Sequence, residues 1–133
     1  MKVIIYIKIE CHGNPSGHAE AVVYLTYKSN VSRVKIVKED VTKNAMCIMA
    51  VIEALKKLLK KCEVQIYLDS DYVINAMAHM KQWKANGWKR AGMKEVKNKL
   101  LWQQLDMLTQ IHQVKVSRFS ESQEERWMEL CEV

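Results

Sequence analysis

The order in which two residue periodicities alternate constrains this chain more than any other feature. Residues 3–9, VIIYIKI, are β-branched and aromatic, the composition of a strand. The runs AEAVVYLTYK and SRVKIVKED repeat that character, with Ser29-Asn30 as the turn between them. Three successive strands with short links predict an antiparallel meander. Between the first two lies CHGNPSG, whose two Gly, one Pro and one Asn read as a loop. From Lys43 to Lys61 the spacing changes: Met46, Met49, Ala50, Leu55, Leu58 and Leu59 recur every three or four residues. That predicts a helix with Thr42 or Asn44 at its start and four lysines at its end. CEVQIYL at 62–68 returns to strand, followed by helices at about 72–82 and 100–112. VKVSRF at 114–119 gives a fifth strand and SQEERWMELCEV a short closing helix. The order βββαβα(α)αβα, with no repeat and no linker, predicts one mixed-sheet α/β domain over residues 1–133.

Charge narrows the partners. A net charge of +6 and a pI near 9.1 favour an anionic partner, nucleic acid ahead of acidic membrane. No apolar run reaches the ~18 residues of a membrane span, and Lys8 and Glu10 interrupt the opening MKVIIYIKIE, which reads as a strand rather than a signal peptide. The four cysteines, Cys11, Cys47, Cys62 and Cys131, are far apart and form no C-x-x-C pair. Zinc sites and disulfide frameworks are therefore disfavoured, and reduced thiols in a cytoplasmic protein are expected.

The stretch IYLDSDYVINA places Asp69, Ser70 and Asp71 where an apolar strand hands over to a helix. Carboxylates at such a tip hold metals or move protons. Together with CHGNPSG, TKNAMCIMAVIEAL, QWKANGWKRAGMKEVKNKLLWQQLD and EERWMEL, this stretch resembles type 1 ribonuclease H over essentially the whole length. The resemblance implies a mixed five-stranded sheet, its first three strands antiparallel, with helices on both faces. It also implies cleavage of the RNA strand of an RNA–DNA hybrid by two Mg²⁺ ions held by four carboxylates.

Magnesium requires hard oxygen ligands. Position by position, the resemblance puts Lys8 where the family has its first aspartate and Cys47 where it has a glutamate. Met128 stands where it has its last aspartate. Asp69 is kept, while the loop that carries a catalytic histidine is reduced to SESQ. The chain thus resembles a member with a degenerate active site, for which no metal cofactor is expected. The alternative is an active nuclease using Mg²⁺ or Mn²⁺ on Glu10, Asp69 and Asp71. For Lys8 the expectation is an ion pair with Asp69 in place of the metal. For Cys47 it is a small apolar filler, with a lysine-activated thiol as the other reading.

The binding residues that the resemblance implies are better kept. Asn14 and Asn44 match minor-groove contacts, and Thr42 matches a phosphate pocket. Asp71 stands where the family has glutamine and would repel a phosphate. Residues 81–99 resemble a basic protrusion that lies against the DNA strand. They hold Lys81, Lys84, Lys89, Arg90, Lys94, Lys97 and Lys99 against Glu95 alone, with Trp83 and Trp88 interleaved. A charge run is ordinarily a solvated face, and packing is the expected role of Trp83 and Trp102. Lys84, Trp88, Lys89, Arg90, Lys94 and Lys97 are the nucleic-acid contacts expected here. The expected partner is an RNA–DNA hybrid or duplex, with or without a larger protein complex and with no membrane.

Overall fold

The computed structural model describes residues 1–132. Its elements are β1 (Lys2–Gly13), β2 (Ser16–Tyr27), β3 (Asn30–Thr42), α1 (Lys43–Lys56), β4 (Glu63–Leu68), α2 (Asp71–Ala85), α3 (Lys99–Ile111), β5 (Gln113–Ser117) and α4 (Glu121–Cys131), with a short 3₁₀ turn at Ala91–Met93. The strands form one sheet in the order β3-β2-β1-β4-β5. The β1–β2 and β2–β3 pairs are antiparallel, while β1–β4 and β4–β5 are parallel. This is the mixed sheet with an antiparallel first half that the sequence predicts. None of the described helices is long and apolar enough to cross a membrane.

Strand parity separates two cores. Val3, Ile5 and Ile7 of β1 join Ala21 and Val23 of β2 and Val64, Ile66 and Leu68 of β4 in the main core, which α1, α2 and α3 cover. Tyr6 and Tyr24 point to the opposite face, where Leu130 and Trp127 of α4 pack with Phe119. Alternate residues of a pleated strand face opposite ways, so Lys8 follows Tyr6 onto the α4 side. Helix α1 buries nine of its residues, from Ala45 to Leu55, as a helix placed between the sheet and other helices must.

Several boundaries differ from the sequence reading. CHGNPSG is not a free loop: β1 and β2 run on as a ladder to the pair Gly13–Gly17, leaving a tight turn at Asn14-Pro15 with a cis peptide bond. Gly17 is required there, because a Cβ on it would lie 1.9 Å from the His12 carbonyl oxygen. Helix α1 stops at Lys56 rather than Lys61, and Leu59 is almost wholly exposed. The apolar spacing continues, but the chain must turn back so that the Glu63 N–H can reach the Met1 carbonyl at 2.7 Å and start β4. The closing helix ends at Cys131, and Val133, its expected last residue, lies outside the described residues.

Candidate nucleic-acid interface and strand-tip site

Asp69 follows the last residue of β4, carried to the surface by a strand that is buried at Val64, Ile66 and Leu68. Its Oδ1 accepts the backbone N–H of Phe119 at 3.1 Å. Ser70 caps α2, its Oγ accepting the Val73 N–H at 3.1 Å. Asp71, in the first turn of α2, pairs with the Arg118 guanidinium. The segment between β5 and α4 is thereby stapled across the strand tip at two successive residues. The expected repulsion between Asp71 and a phosphate is offset by this arginine.

The expected Lys8–Asp69 pair does not form. Lys8 Nζ instead donates to Glu124 Oε2 of α4 at 2.6 Å. The ammonium also lies 4.8 Å from the Phe119 ring centre and 5.6 Å from that of Trp127. The cause is the parity described above: Lys8 faces α4, whose first turn presents a carboxylate and whose second presents an aromatic ring. Both charges are partly exposed, so the pair contributes only about 0–1 kcal/mol, and an exposed cation–π contact adds about 0.5–1 kcal/mol.

The other two positions at which the resemblance places carboxylates, Cys47 and Met128, are as unsuited to a metal. Cys47 is 2% exposed inside α1, and burial pushes its thiol pKa up, against the opposing pull of the Ser70 hydroxyl and Lys43. The lysine-activated thiol is therefore overturned. Alkylation of the native protein near neutral pH should modify exposed Cys131 and spare Cys47 and Cys62, as peptide mapping by mass spectrometry will show. Met128 projects into solvent at 64% exposure. Nor are the alternative ligands assembled, since Asp71 is held by Arg118 and Glu10 lies beside His12 at 3.7 Å. Among the described residues no three His, Cys, Asp or Glu side chains stand ready to hold a metal ion. An ammonium, a buried thiol and an exposed thioether do not fit two Mg²⁺ ions.

A second site is better formed. Asn14, Pro15, Thr42, Lys43, Asn44, Tyr72, Lys97 and Asn98 line one open cavity of about 550 Å³. Thr42 caps α1, its Oγ accepting the Ala45 N–H at 3.1 Å, which leaves its hydroxyl proton free to donate. Tyr72 Oη accepts from Asn98 Nδ2 at 3.0 Å and from Trp102 Nε1 at 3.2 Å, which leaves its own proton free to donate. The lining offers amides, hydroxyls and two ammonium groups and no carboxylate, a donor set suited to phosphate and sugar oxygens. The tight hairpin brings Asn14 here and the β3–α1 junction brings Thr42 and Asn44. Lys97 comes from a segment distant in sequence. Asn98 and Tyr72 were not legible as members of the site.

The basic segment is more structured and less free than its charge suggests. Arg90 N–H donates to the Lys94 carbonyl at 2.8 Å and Val96 N–H to that of Trp88 at 3.2 Å, folding 88–96 into a small hairpin anchored by buried Val96. Gly92, at φ +78, supplies a left-handed residue to its bend. Trp83 and Trp102 pack in the core as expected, and Trp88 is half-buried against it as well. Lys84, an expected nucleic-acid contact, is instead bonded to Asp106 of α3 at 3.0 Å, and that carboxylate is largely buried. Lys89 and Lys99 share Glu95 at 3.9 and 3.3 Å. Lys94 and Lys97 have no ion pair among the described residues.

Comparison with known proteins agrees with this architecture. The family model described as RNase H matches residues 1–119. A ribonuclease H of Acetivibrio thermocellus is 40% identical over 116 residues, covering 86% of this chain and 78% of that protein. One from Francisella philomiragia is 43% identical over 113 residues, covering 84% and 74%. Among solved structures, LC9-RNase H1, a type 1 RNase H with the type 2 active-site motif, superposes with a TM-score of 0.74 at 25% identity, covering 90% of this chain and 63% of that one. The foamy viral protease-reverse transcriptase in complex with RNA/DNA hybrid shares the fold at a TM-score of 0.68 and 20% identity, over 96% of this chain and 18% of that one. The β3-β2-β1-β4-β5 sheet, the aspartate at its parallel strand tip and a match spanning all five strands converge: this chain belongs to the ribonuclease H family.

Proposed function

We propose that this chain binds an RNA–DNA hybrid or a related duplex and does not cut it by metal-dependent hydrolysis. The observation that carries the reading is the cavity that joins Asn14, Thr42, Asn44 and Lys97, residues far apart in sequence, into one carboxylate-free donor surface. Beside it, the strand tip keeps Asp69 but ties it to the Phe119 backbone, and gives Lys8 to Glu124. Grip is thus supported where catalysis is not. Lysines that neutralise phosphates release counterions, so binding of this kind weakens steeply with salt.

The test uses a fluorescent hybrid with the full chain. Anisotropy should show saturable binding whose log–log salt slope falls by about 0.9 for each phosphate contact removed, in Lys97→Ala and again in Arg90→Ala. In Mg²⁺ or Mn²⁺ the hybrid should stay intact. Cleavage that disappears in Asp69→Asn would sink the non-cutting half of the proposal. Binding that ignores both salt and Lys97 would sink the other half.

A further inference from the structure

The early end of α1 leaves part of the main core without a cover. Val3 of β1, Leu25 and Tyr27 of β2 and Val34 of β3 belong to the face of the sheet on which α1 packs. Helix α1 ends at Lys56, so beyond it these side chains are roofed by no helix and line an open groove of about 540 Å³. That volume falls inside the range of roughly 300–1,000 Å³ over which pockets hold small molecules. Leu58 and Leu59, from the turn that returns the chain to β4, belong to the same lining, and Leu59 is 97% exposed. The cations are supplied by that turn too. Lys57 and Lys60 line the groove, and no carboxylate belongs to its described lining. Lys56 beside them is paired with Glu53 at 3.8 Å, whereas Lys57 and Lys60 have no ion pair among the described residues. The groove lies at the far end of the sheet from the strand-tip site. Cys62, in its lining, precedes β4 and Asp69 follows it, which separates the two by roughly 20 Å at the rise of a strand.

We propose that this groove binds a free medium-chain fatty carboxylate, with its acyl chain along the strand side chains and its carboxylate at Lys57 and Lys60. An apolar floor with cations supplied by one turn fits a molecule that is apolar along its length and anionic at one end. A neutral hydrocarbon would leave both ammonium groups without a partner. A nucleotide would set polar groups against Val3, Leu25 and Val34, where nothing hydrogen-bonds them, and burying unpaired polar groups is costly. An anionic bilayer surface would reach Leu59 and the lysines, but it would leave the strand floor uncovered. The fatty carboxylate meets all three features at once: it covers the floor, takes Leu59 out of water and brings a counter-charge to the two lysines. Since this end of the sheet is remote from the cavity that holds Asn14 and Thr42, the site is independent of nucleic-acid binding.

Decanoate titrated into the full chain below its micelle concentration provides the test. Calorimetry should give one decanoate per chain, and amide NMR shifts should gather at Leu25, Val34, Leu58, Leu59 and Cys62 while Asp69 stays still. Each methylene added between octanoate and decanoate should tighten binding about three- to fourfold as it is buried. Decyltrimethylammonium, with the same chain and the opposite charge, should bind at least tenfold more weakly. The Lys57→Gln/Lys60→Gln double variant should lose that preference, whereas Lys115→Gln, on β5, should keep it. Ser32→Trp, which fills the groove from β3, should abolish binding. The lysines and Ser32 are exposed, and far-UV circular dichroism verifies that the variants fold. No saturable binding, equal affinity for the cationic amphiphile, or shifts centred elsewhere would each overturn the proposal. So would binding to anionic phospholipid vesicles without binding to decanoate, which would assign the patch to a membrane surface instead.

Discussion

A chain carrying Lys8→Asp, Cys47→Glu and Met128→Asp together should show Mg²⁺-dependent cleavage of an RNA–DNA hybrid well above that of the parent. With Asp69, these changes put oxygen ligands at the four positions where the family resemblance places carboxylates, and they remove the ammonium that repels a divalent ion. Since a single lost electrostatic contact to a transition state costs about 10²–10³-fold, restoring three ligands should raise cleavage by on the order of 10³-fold or more. A binding readout accompanies it. Without metal, the new carboxylates repel one another, and position 47 is buried. The triple variant should therefore melt below the parent in chelator. It should recover by about 3–4 kcal/mol when Mg²⁺ is 100–1,000 times its dissociation constant, whereas the parent should not respond. A variant that recovers stability in Mg²⁺ yet cuts nothing would show that more than ligands has been lost, the histidine-bearing loop first.

Trp102→Ala should destabilise the protein by about 3–5 kcal/mol, a large share of the 5–15 kcal/mol typical of a domain. Trp102 is fully buried on α3. Its ring packs 5.8 Å from that of Tyr72 and 6.0 Å from that of Trp83, and its Nε1–H donates to Tyr72 Oη. Truncation leaves a cavity and removes one of the two donors that fix Tyr72. Because Tyr72 lines the proposed binding cavity, hybrid affinity should fall in the same variant, even under conditions where it remains folded. Urea denaturation with an unchanged slope against denaturant, compared with Trp102→Phe, separates loss of packing from a change in the unfolded state. A cost below 1 kcal/mol would contradict this account of the core.

The elements that were legible in the sequence are those whose periodicity and burial coincide. VIIYIKI and CEVQIYL are strands because alternate residues fill the main core, and helix α1 follows its Met and Leu spacing as far as there is core to cover. Legibility failed where a tertiary requirement overrode the local pattern. Leu58 and Leu59 continue the helical spacing, but the return to Glu63 ends the helix before them. The loop CHGNPSG has turn composition, yet the ladder takes all of it except Asn14-Pro15. At the site, Asp69 could be placed at the end of β4 from its flanking pattern. The partners that Lys8, Asp71 and Lys84 take could not. Glu124 lies 116 positions from Lys8, Arg118 is 47 from Asp71, and Asp106 meets Lys84 only because α2 and α3 pack together. A charge run announces its sign in sequence, but which of its members are already neutralised is decided by folding.

The Lys8–Glu124 contact also governs how this chain can change. Lys8→Asp alone would set a new carboxylate against Glu124 with no cation between them, and Glu124→Ala alone would leave the ammonium to its aromatic neighbours. Each single replacement at this pair therefore passes through a less favourable intermediate than the present contact. A carboxylate at position 8 is reached more readily by replacing Lys8 and Glu124 together than by Lys8→Asp alone.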